Sequence, residues 1–285
     1  MNQHFSFTNR PPITIVIPFY NSSLFIQDTL NSVMSEVSKV DEIIIVNDGS
    51  SKDESKKLES FLENVPLHDL RLISHASNRG GGAARNTGVR NSKYEWIFNL
   101  DSDNLMSAGL LDSLVHSAQE NGLDVASPQS LWFFRENTAK ITHKWEFVAR
   151  PITLTDHLVS PYVPSASGNY LFNVHSFNKV GGFPEYARGL DAWGFGLRLV
   201  SSGALMQAVP GTFYFHRFGH ESYYVRSSKD SELLNLHATS LVLEYAHLLD
   251  PYVLKRLLRS RRRDWFSKVN QNPFRINSQP SGKKL

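Results

Sequence analysis

The first 128 residues alternate between short apolar runs and longer stretches with apolar residues at helical spacing. Ile13-Thr14-Ile15-Val16-Ile17 is a β-branched run stopped by Pro18. Ile43-Ile44-Ile45-Val46 and Leu70-Arg71-Leu72-Ile73 repeat the theme. Near-continuous runs of this kind suit strands buried on both faces of a parallel sheet. Between the first two, Ile26, Leu30, Val33, Met34 and Val37 recur at helical spacing behind the N-cap types Asn21, Ser22 and Ser23. A charged helix follows Asn47-Asp48-Gly49-Ser50 and runs to about Leu62. Gly80-Gly81-Gly82 leads into another helix near Ala83. Trp96 to Leu100 reads as a fourth strand, Ser107 to Glu120 as the next helix and Asp124 to Ser127 as a fifth strand. Strand and helix in alternation predict an α/β fold, a single Rossmann-like domain with a mostly parallel central sheet.

Beyond residue 128 the pattern loosens. Leu131-Trp132-Phe133-Phe134 and Trp145-Glu146-Phe147, set among prolines, suggest strands, long loops and an antiparallel edge across 129–175. Asp191 to Ser202 reads as helix despite two glycines. Ser231 to Leu249 reads as one long amphipathic helix, and the last 35 residues as a basic helix fading into an unstructured end.

Composition narrows the function classes. Cysteine is absent from the 285 residues, which excludes disulfides, thiolate catalysis and Cys-based zinc sites and suits a cytoplasmic setting. No apolar run approaches the roughly 20 residues of a membrane-spanning helix. The net charge of +3 is unevenly spread: residues 251–285 hold ten Lys/Arg and one Asp, so residues 1–250 carry −6. The basic character therefore belongs to the tail. A solvated helix face, attachment to an anionic membrane surface and nucleic-acid binding all fit such a tail. The last is weakest, because aromatic residues are few there, and no nucleic acid is expected as a partner.

Candidate chemistry gathers where the strands end. Pro18-Phe19-Tyr20-Asn21, Asn47-Asp48-Gly49-Ser50, Asn78-Arg79-Gly80 and Asp101-Ser102-Asp103 each follow a predicted strand. Open parallel sheets bind ligands at that edge. Two carboxylates two residues apart are suited to a hard divalent cation, which can in turn hold a diphosphate.

Ile15-Val16-Ile17-Pro18-Phe19-Tyr20-Asn21, Ile44-Ile45-Val46-Asn47-Asp48-Gly49-Ser50, Ala84-Arg85-Asn86-Thr87-Gly88 and Asp101-Ser102-Asp103, in this order, resemble the signature of family-2 glycosyltransferases with the GT-A fold. The likeness is good over roughly 12–128 and looser through Gly181-Gly182-Phe183 to about Gly203. It implies a nucleotide-sugar-binding half at 1–128, an acceptor-binding and catalytic half of the same domain at 129–228, and a C-terminal helix and basic tail at 229–285. The implied activity is metal-dependent, inverting transfer from a nucleotide diphosphate donor, expected to be a UDP-sugar, to a hydroxyl of a glycan or lipid-linked acceptor in surface polysaccharide synthesis.

The resemblance also implies roles for single residues. Pro18, Tyr20 and Asn21 would border the nucleotide, with Tyr20 stacking on the base and Asp48 accepting from the uracil N3–H. Asn47 stands where the family usually has a second Asp. Arg85 would meet the nucleotide or its diphosphate, and the glycines before it would let backbone approach phosphate at a helix N-terminus. Asp101 and Ser102 would line the donor, with Asp101 on the ribose, and Asp103 would bind Mn²⁺ or Mg²⁺. Arg217-Phe218-Gly219-His220 resembles a metal-binding segment of some members and makes His220 the second ligand, which favours Mn²⁺. The family's base is the Asp of a Glu-Asp pair. Here Asp191 falls on the Glu position and Ala192 on the Asp position, so Asp191 is the candidate base and a catalytically impaired nucleotide-binding protein is the alternative. A sugar nucleotidyltransferase fits less well, because its glycine-rich loop after the first strand is replaced by Pro18-Phe19-Tyr20-Asn21. Peripheral membrane contact through 251–285 is a further expectation.

Overall fold

A computed structural model describes residues 10–37, 41–66, 69–159, 163–221, 225–226, 229–252 and 254–255. One mixed sheet organises them. Strands β1 (Ile13–Phe19), β2 (Glu42–Asn47), β3 (Leu70–Ser74) and β4 (Trp96–Asn99) pair in parallel in the order β3-β2-β1-β4. The sheet continues beyond β4 through β8 (Leu171–Asn173), β6 (Val125–Phe134), β9 (Met206–Arg217) and β5 (Leu105–Met106). Strand β8 is antiparallel to both its neighbours, and β6 and β9 are parallel to each other. They therefore run the same way as β1–β4, and their carboxyl ends reach the same edge.

Helices cover both faces. In β1, Ile13, Ile15, Ile17 and Phe19 face a core shared with α1 (Ser23–Met34), α2 (Lys52–Leu62) and α4 (Leu110–Asn121), while Val16 faces the opposite core. That second core contains α3 (Gly81–Arg90), α6 (Val174–Val180), α7 (Asp191–Ser201) and α8 (Ser231–Glu244). A short helix, α5 (Leu154–Val159), lies against α7. Burial on both sides is why β1 and β2 read as continuous apolar runs.

Three expectations change. The fifth strand is longer than Asp124–Ser127: β6 continues through the aromatic run to Phe134 and forms a hairpin with β7 (His143–Glu146), the antiparallel edge. It thus crosses position 128, with an irregularity between Pro128 and Ser130. Strand β9 went unread, because Pro210-Gly211 at its middle resembles a turn. Both residues are exposed at that irregularity, where the Gly211 N–H donates to Gln129 Oε1. Finally, α8 ends at Glu244, followed by a 3₁₀ turn at Ala246–Leu248, and its leucines do not share one face. The basic tail beyond Lys255 lies outside the described residues. No described helix is long and apolar enough to cross a membrane.

Candidate functional site

The carboxyl ends of β1, β2 and β4 deliver Tyr20, Asn21, Asp48 and Asp101–Asp103 to one edge, as expected of a parallel sheet. Loops there are stitched to one another. The Asn21 N–H donates to Ser50 Oγ, and Asn21 Oδ1 accepts from the Ser51 N–H, with Asn21 at φ 49°. The Asn47 amide donates to Ser55 Oγ and accepts from the Ser50 N–H, so the residue that departs from the family pattern uses a donor that Asp lacks. Pro18, half-buried next to the last residue of β1, lies opposite Val46. Tyr20 is half-buried, and the Arg226 guanidinium lies 5.5 Å from its ring centroid.

Asp48 is buried and has partners on both oxygens. Oδ1 pairs with His75 Nδ1 at 2.7 Å and accepts from the Arg79 N–H; Oδ2 accepts from Asn78 Nδ2 and the Gly80 N–H. His75 Nε2 in turn meets Thr87 Oγ1 on α3. A carboxylate thus already sits at the two amides preceding α3, where the glycines led us to expect phosphate. Gly49 permits this closure: its φ is 67°, and a Cβ there would lie 2.3 Å from the Ser77 carbonyl carbon.

Arg85 joins the two halves of the site. Its Nη2 donates to Asp101 Oδ1 at 2.6 Å and its Nη1 to Asp191 Oδ2 at 2.5 Å, with the guanidinium buried. Burial works against its charge, yet the two carboxylates outweigh it and hold Arg85 above its ordinary value. Asp191, the first residue of α7, is 4% exposed. Burial raises its pKa, and the Arg85 charge only partly opposes that rise. A Cβ on Gly168 would meet the Ala192 Cβ at 3.4 Å, Arg85 Nη2 at 3.6 Å and Asp101 Oδ2 at 3.7 Å. Ala192 and the ion-pair cluster therefore both adjoin Gly168.

The acidic triplet is divided in its roles. Asp101 is further held by Asn169, whose Oδ1 accepts from the Asp101 N–H and whose Nδ2 reaches Asp101 Oδ2. Asn169 Nδ2 also donates to the Tyr214 hydroxyl. Ser102 turns inward: its Oγ meets Ser22 Oγ at 2.8 Å, and its carbonyl accepts from Thr29 on α1. Asp103 Oδ2 lies 2.8 Å from His220 Nε2, both side chains being partly exposed. Pairing of β5 with β9 brings this loop to the end of β9. Arg217 then locks the junction, donating from Nε to the Asp103 carbonyl and from Nη2 to Asp28, with its guanidinium over Phe25 and Phe134.

Asp103 and His220 fit a divalent cation as a two-residue set. Two donors on one octahedral ion with bonds near 2.1 Å sit about 3 Å apart, close to the separation here. His220 Nδ1 is buried without a hydrogen-bond partner among the described residues, which leaves its tautomer free to follow what Nε2 binds. No group of three His, Cys, Asp or Glu side chains suited to a metal occurs among the described residues, so phosphate and water oxygens would complete the shell. His216 instead approaches the Tyr214 hydroxyl with Nδ1 and is kept below its ordinary pKa by burial.

The structure thus brings Arg85, Asp101 and Asp191 together, and Asp103 with His220. Asn169 links Asp101 to Tyr214, Arg217 ties Asp103 to Asp28, and His75 ties Asp48 to Thr87; apart from Arg217, which opens the segment ending in His220, the sequence assigns none of these a role. Only Arg217 and His75 carried any signal, as charged or titratable groups near a motif; Asn169 and Tyr214 lay in stretches without one.

Comparison with known proteins bears on the family and the fold. Over 134 residues the chain is 29% identical to the uncharacterized glycosyltransferase EpsJ of Bacillus subtilis (strain 168), covering 47% of this chain and 37% of that protein. It is 37% identical over 94 residues to the poly-beta-1,6-N-acetyl-D-glucosamine synthase of Staphylococcus epidermidis, covering 33% and 22%. The match thus spans well under half the length of these relatives. Among solved structures, S. aureus TarS 1–349 in complex with UDP-GlcNAc superposes with a TM-score of 0.65 at 17% identity, covering 94% of this chain and 76% of that one. The mannosyltransferase PcManGT from Pyrobaculum calidifontis, in complex with GDP-Man and Mn²⁺, gives 0.58 at 14%, covering 93% and 83%. These two likenesses concern the fold. The model of the family "Glycosyl transferase family 2" matches residues 14–180, and the chain belongs to that family.

Proposed function

We propose that the chain is a metal-dependent, inverting glycosyltransferase that moves a sugar from a UDP-sugar to a hydroxyl of a glycan or lipid-linked acceptor in surface polysaccharide synthesis. The observation that carries this reading is the convergence of Arg85, Asp101, Asp103, Asp191 and His220 at the carboxyl edge of a family-2 fold. The neighbours crystallised with UDP-GlcNAc and with GDP-Man and Mn²⁺ support a nucleotide-sugar donor and a divalent ion. The synthase relative supports a surface polysaccharide as product. A cytoplasmic setting is part of the same reading.

The uracil would lie against Tyr20 with Asp48 and Asn78 at its edge, and the ribose would meet Asp101. Asp103 and His220 would hold Mn²⁺ or Mg²⁺, which when bound offsets the charge of the leaving diphosphate. Asp191 accepts the proton of the acceptor hydroxyl. That oxygen bonds to the anomeric carbon, and the bond from the anomeric carbon to the diphosphate oxygen breaks with its electron pair going to UDP. Burial keeps the Asp191 carboxylate more basic than a surface one, which suits this step. Titration calorimetry with UDP and Mn²⁺ tests the donor half: binding that needs Mn²⁺ and disappears in Asp103→Ala is expected, and metal-independent or absent UDP binding refutes it.

One observation favours a second reading, a nucleotide-sugar-binding protein with impaired catalysis. Asp191 is committed to Arg85, and Ala192 beside it carries no carboxylate. Hydrolysis of a UDP-sugar by wild type and Asp191→Asn separates the two. A loss of about 10²-fold or more in kcat with UDP affinity intact supports the base. Equal, negligible rates support the binding protein.

A further inference from the structure

Helix α7 begins with Asp191 and carries glycines at 194 and 196, residues that weaken a helix interior. What presses against Gly196 accounts for it. A Cβ there would lie 2.1 Å from Ser165 Cβ and 2.7 Å from His157 Cε1. The missing side chain thus admits α5 and the 3₁₀ turn Pro164–Ser167 to the flank of α7. His157, Ser165 and Tyr170, just beyond that turn, are all fully buried.

These groups reach α7 at its first turn. His157 Nε2 lies 2.9 Å from the Trp193 carbonyl oxygen, and the Tyr170 hydroxyl donates to the Ala192 carbonyl at 3.3 Å. Burial keeps the imidazole neutral at pH 7, so one ring nitrogen carries the proton. A carbonyl only accepts, which puts that proton on Nε2. Ser165 Oγ lies 3.3 Å from Nδ1 and covers the Cε1 edge of the ring, and the Trp193 indole N–H returns a bond to the His157 carbonyl. The carbonyls of the two residues after Asp191 are therefore held from outside their own helix.

The same segment also holds the donor side. Asn169, next to Tyr170 in the chain, binds the Asp101 N–H and Asp101 Oδ2, and Arg85 bridges Asp101 to Asp191. The contacts close a ring that runs from Asp101 through Arg85, Asp191, the Ala192 carbonyl, Tyr170 and Asn169 back to Asp101. Arg85 holds only the Asp191 carboxylate, whereas Tyr170 and His157 hold the backbone that carries it.

From this ring we infer that Tyr170 and His157 are positioning residues for glycosyl transfer, fixing the first turn of α7 so that Asp191 keeps its place relative to a donor bound at Asp101. The inference rests on the reading of Asp191 as the base. Displacing a reacting group by about 1 Å can cost on the order of 10²-fold in rate. Tyr20, Asp48, Asp103 and His220 lie outside the ring, so the loss should fall on turnover and spare nucleotide affinity.

The test is UDP-sugar hydrolysis by Tyr170→Phe, His157→Phe and His157→Gln, with UDP affinity read by calorimetry. The two Phe variants should lower kcat about tenfold or more and leave the Kd for UDP within about twofold of wild type. His157→Gln, whose amide N–H stands in for Nε2–H, should recover most of that loss. Tyr170→Phe keeps the ring packing and decides the matter if His157→Phe does not fold. Unchanged kcat in Tyr170→Phe, parallel losses in kcat and UDP affinity, or a Gln variant no better than Phe would each overturn the inference. A wild type without hydrolysis would sink the glycosyl-transfer reading, and the placement itself is then read from stability. The coupling between Arg85→Met and Asp191→Asn in urea unfolding should fall to about half or less in a Tyr170→Phe background. Coupling that stays the same overturns the positioning role.

Discussion

Replacing Arg85 with Met removes the one cation between two carboxylates and leaves the side-chain volume nearly filled. Arg85 and Asp191 have side-chain exposures of 8% and 5%, so neither is screened by bulk water, while Asp101 at 26% is only partly so. Removing one partner of such a pair costs about 3–5 kcal/mol, because a charge is left buried without compensation. Asp191→Asn alone should cost less, about 1–3 kcal/mol, since Arg85 keeps Asp101 and the amide still accepts a hydrogen bond. In Arg85→Met/Asp191→Asn no orphaned charge remains at position 191, so the double variant should be more stable than Arg85→Met by about 1–2 kcal/mol. The pH dependence has a definite sign. The folded pKa of Asp191 is raised, so the folded state binds more protons than the unfolded one in the interval above the ordinary Asp value, and stability falls as pH rises there. Without Arg85 the pKa rises further, so the deficit of Arg85→Met should shrink between pH 8 and pH 5.5. Urea unfolding of the four proteins at both pH values, followed by far-UV circular dichroism, measures all of this. Single effects that add within about 0.5 kcal/mol, or a deficit that does not change with pH, would refute the claim that Arg85 and Asp191 act as a buried ion pair.

Gly88→Ala should destabilise by about 2–4 kcal/mol, because its Cβ would fall 2.3 Å from Val16 Cγ1 on β1; Val16→Ala should recover much of the loss in thermal melts. His157 is buried against the Trp193 carbonyl, and burial depresses its pKa to about 4. The unfolded state therefore binds the extra proton between about pH 6.5 and 4, and unfolding free energy should fall by about 2 kcal/mol from pH 7 to pH 5; a His157→Gln variant should lack that component. Gly82→Ala places a methyl 3.0 Å from Asp191 Cβ, and donor turnover should fall more than UDP affinity, as read by kcat against calorimetric Kd.

Much of the fold was legible because its first half obeys local rules. In β1 and β2, β-branched runs bounded by turn residues, and in β3 the shorter run Leu70–Ile73, mark the strands to within a residue or two. The second half depends on pairings between distant segments. Strand β9 contains Pro210-Gly211, tolerated only because a bulge against β6 leaves both exposed, and no local signal reports that partner. The leucines of α8 could not be sorted into two faces without knowing where the core lies. At the site, motif residues were identifiable one by one, yet their connections were not. Asp48 looked like a ligand-facing acid, and its four partners come from a loop that begins 27 residues later. The division of Asp101 from Asp103, one bound to Arg85 and the other to His220, needs both ends of the sheet in place.

The strand order has a consequence for synthesis on the ribosome. Strand β4 has its β1 side paired early, but its other side waits for β8, a three-residue strand at Leu171–Asn173. A nascent chain carrying the acidic triplet therefore exposes an open strand edge until residue 173 has emerged. It also lacks His220 until β9 is complete. Strand edges of this kind invite pairing with the wrong chain. The interval between Asn99 and Asn173 is thus one stretch of translation in which this protein needs protection from its neighbours, and the β6 edge stays open longer still, until β9 is made.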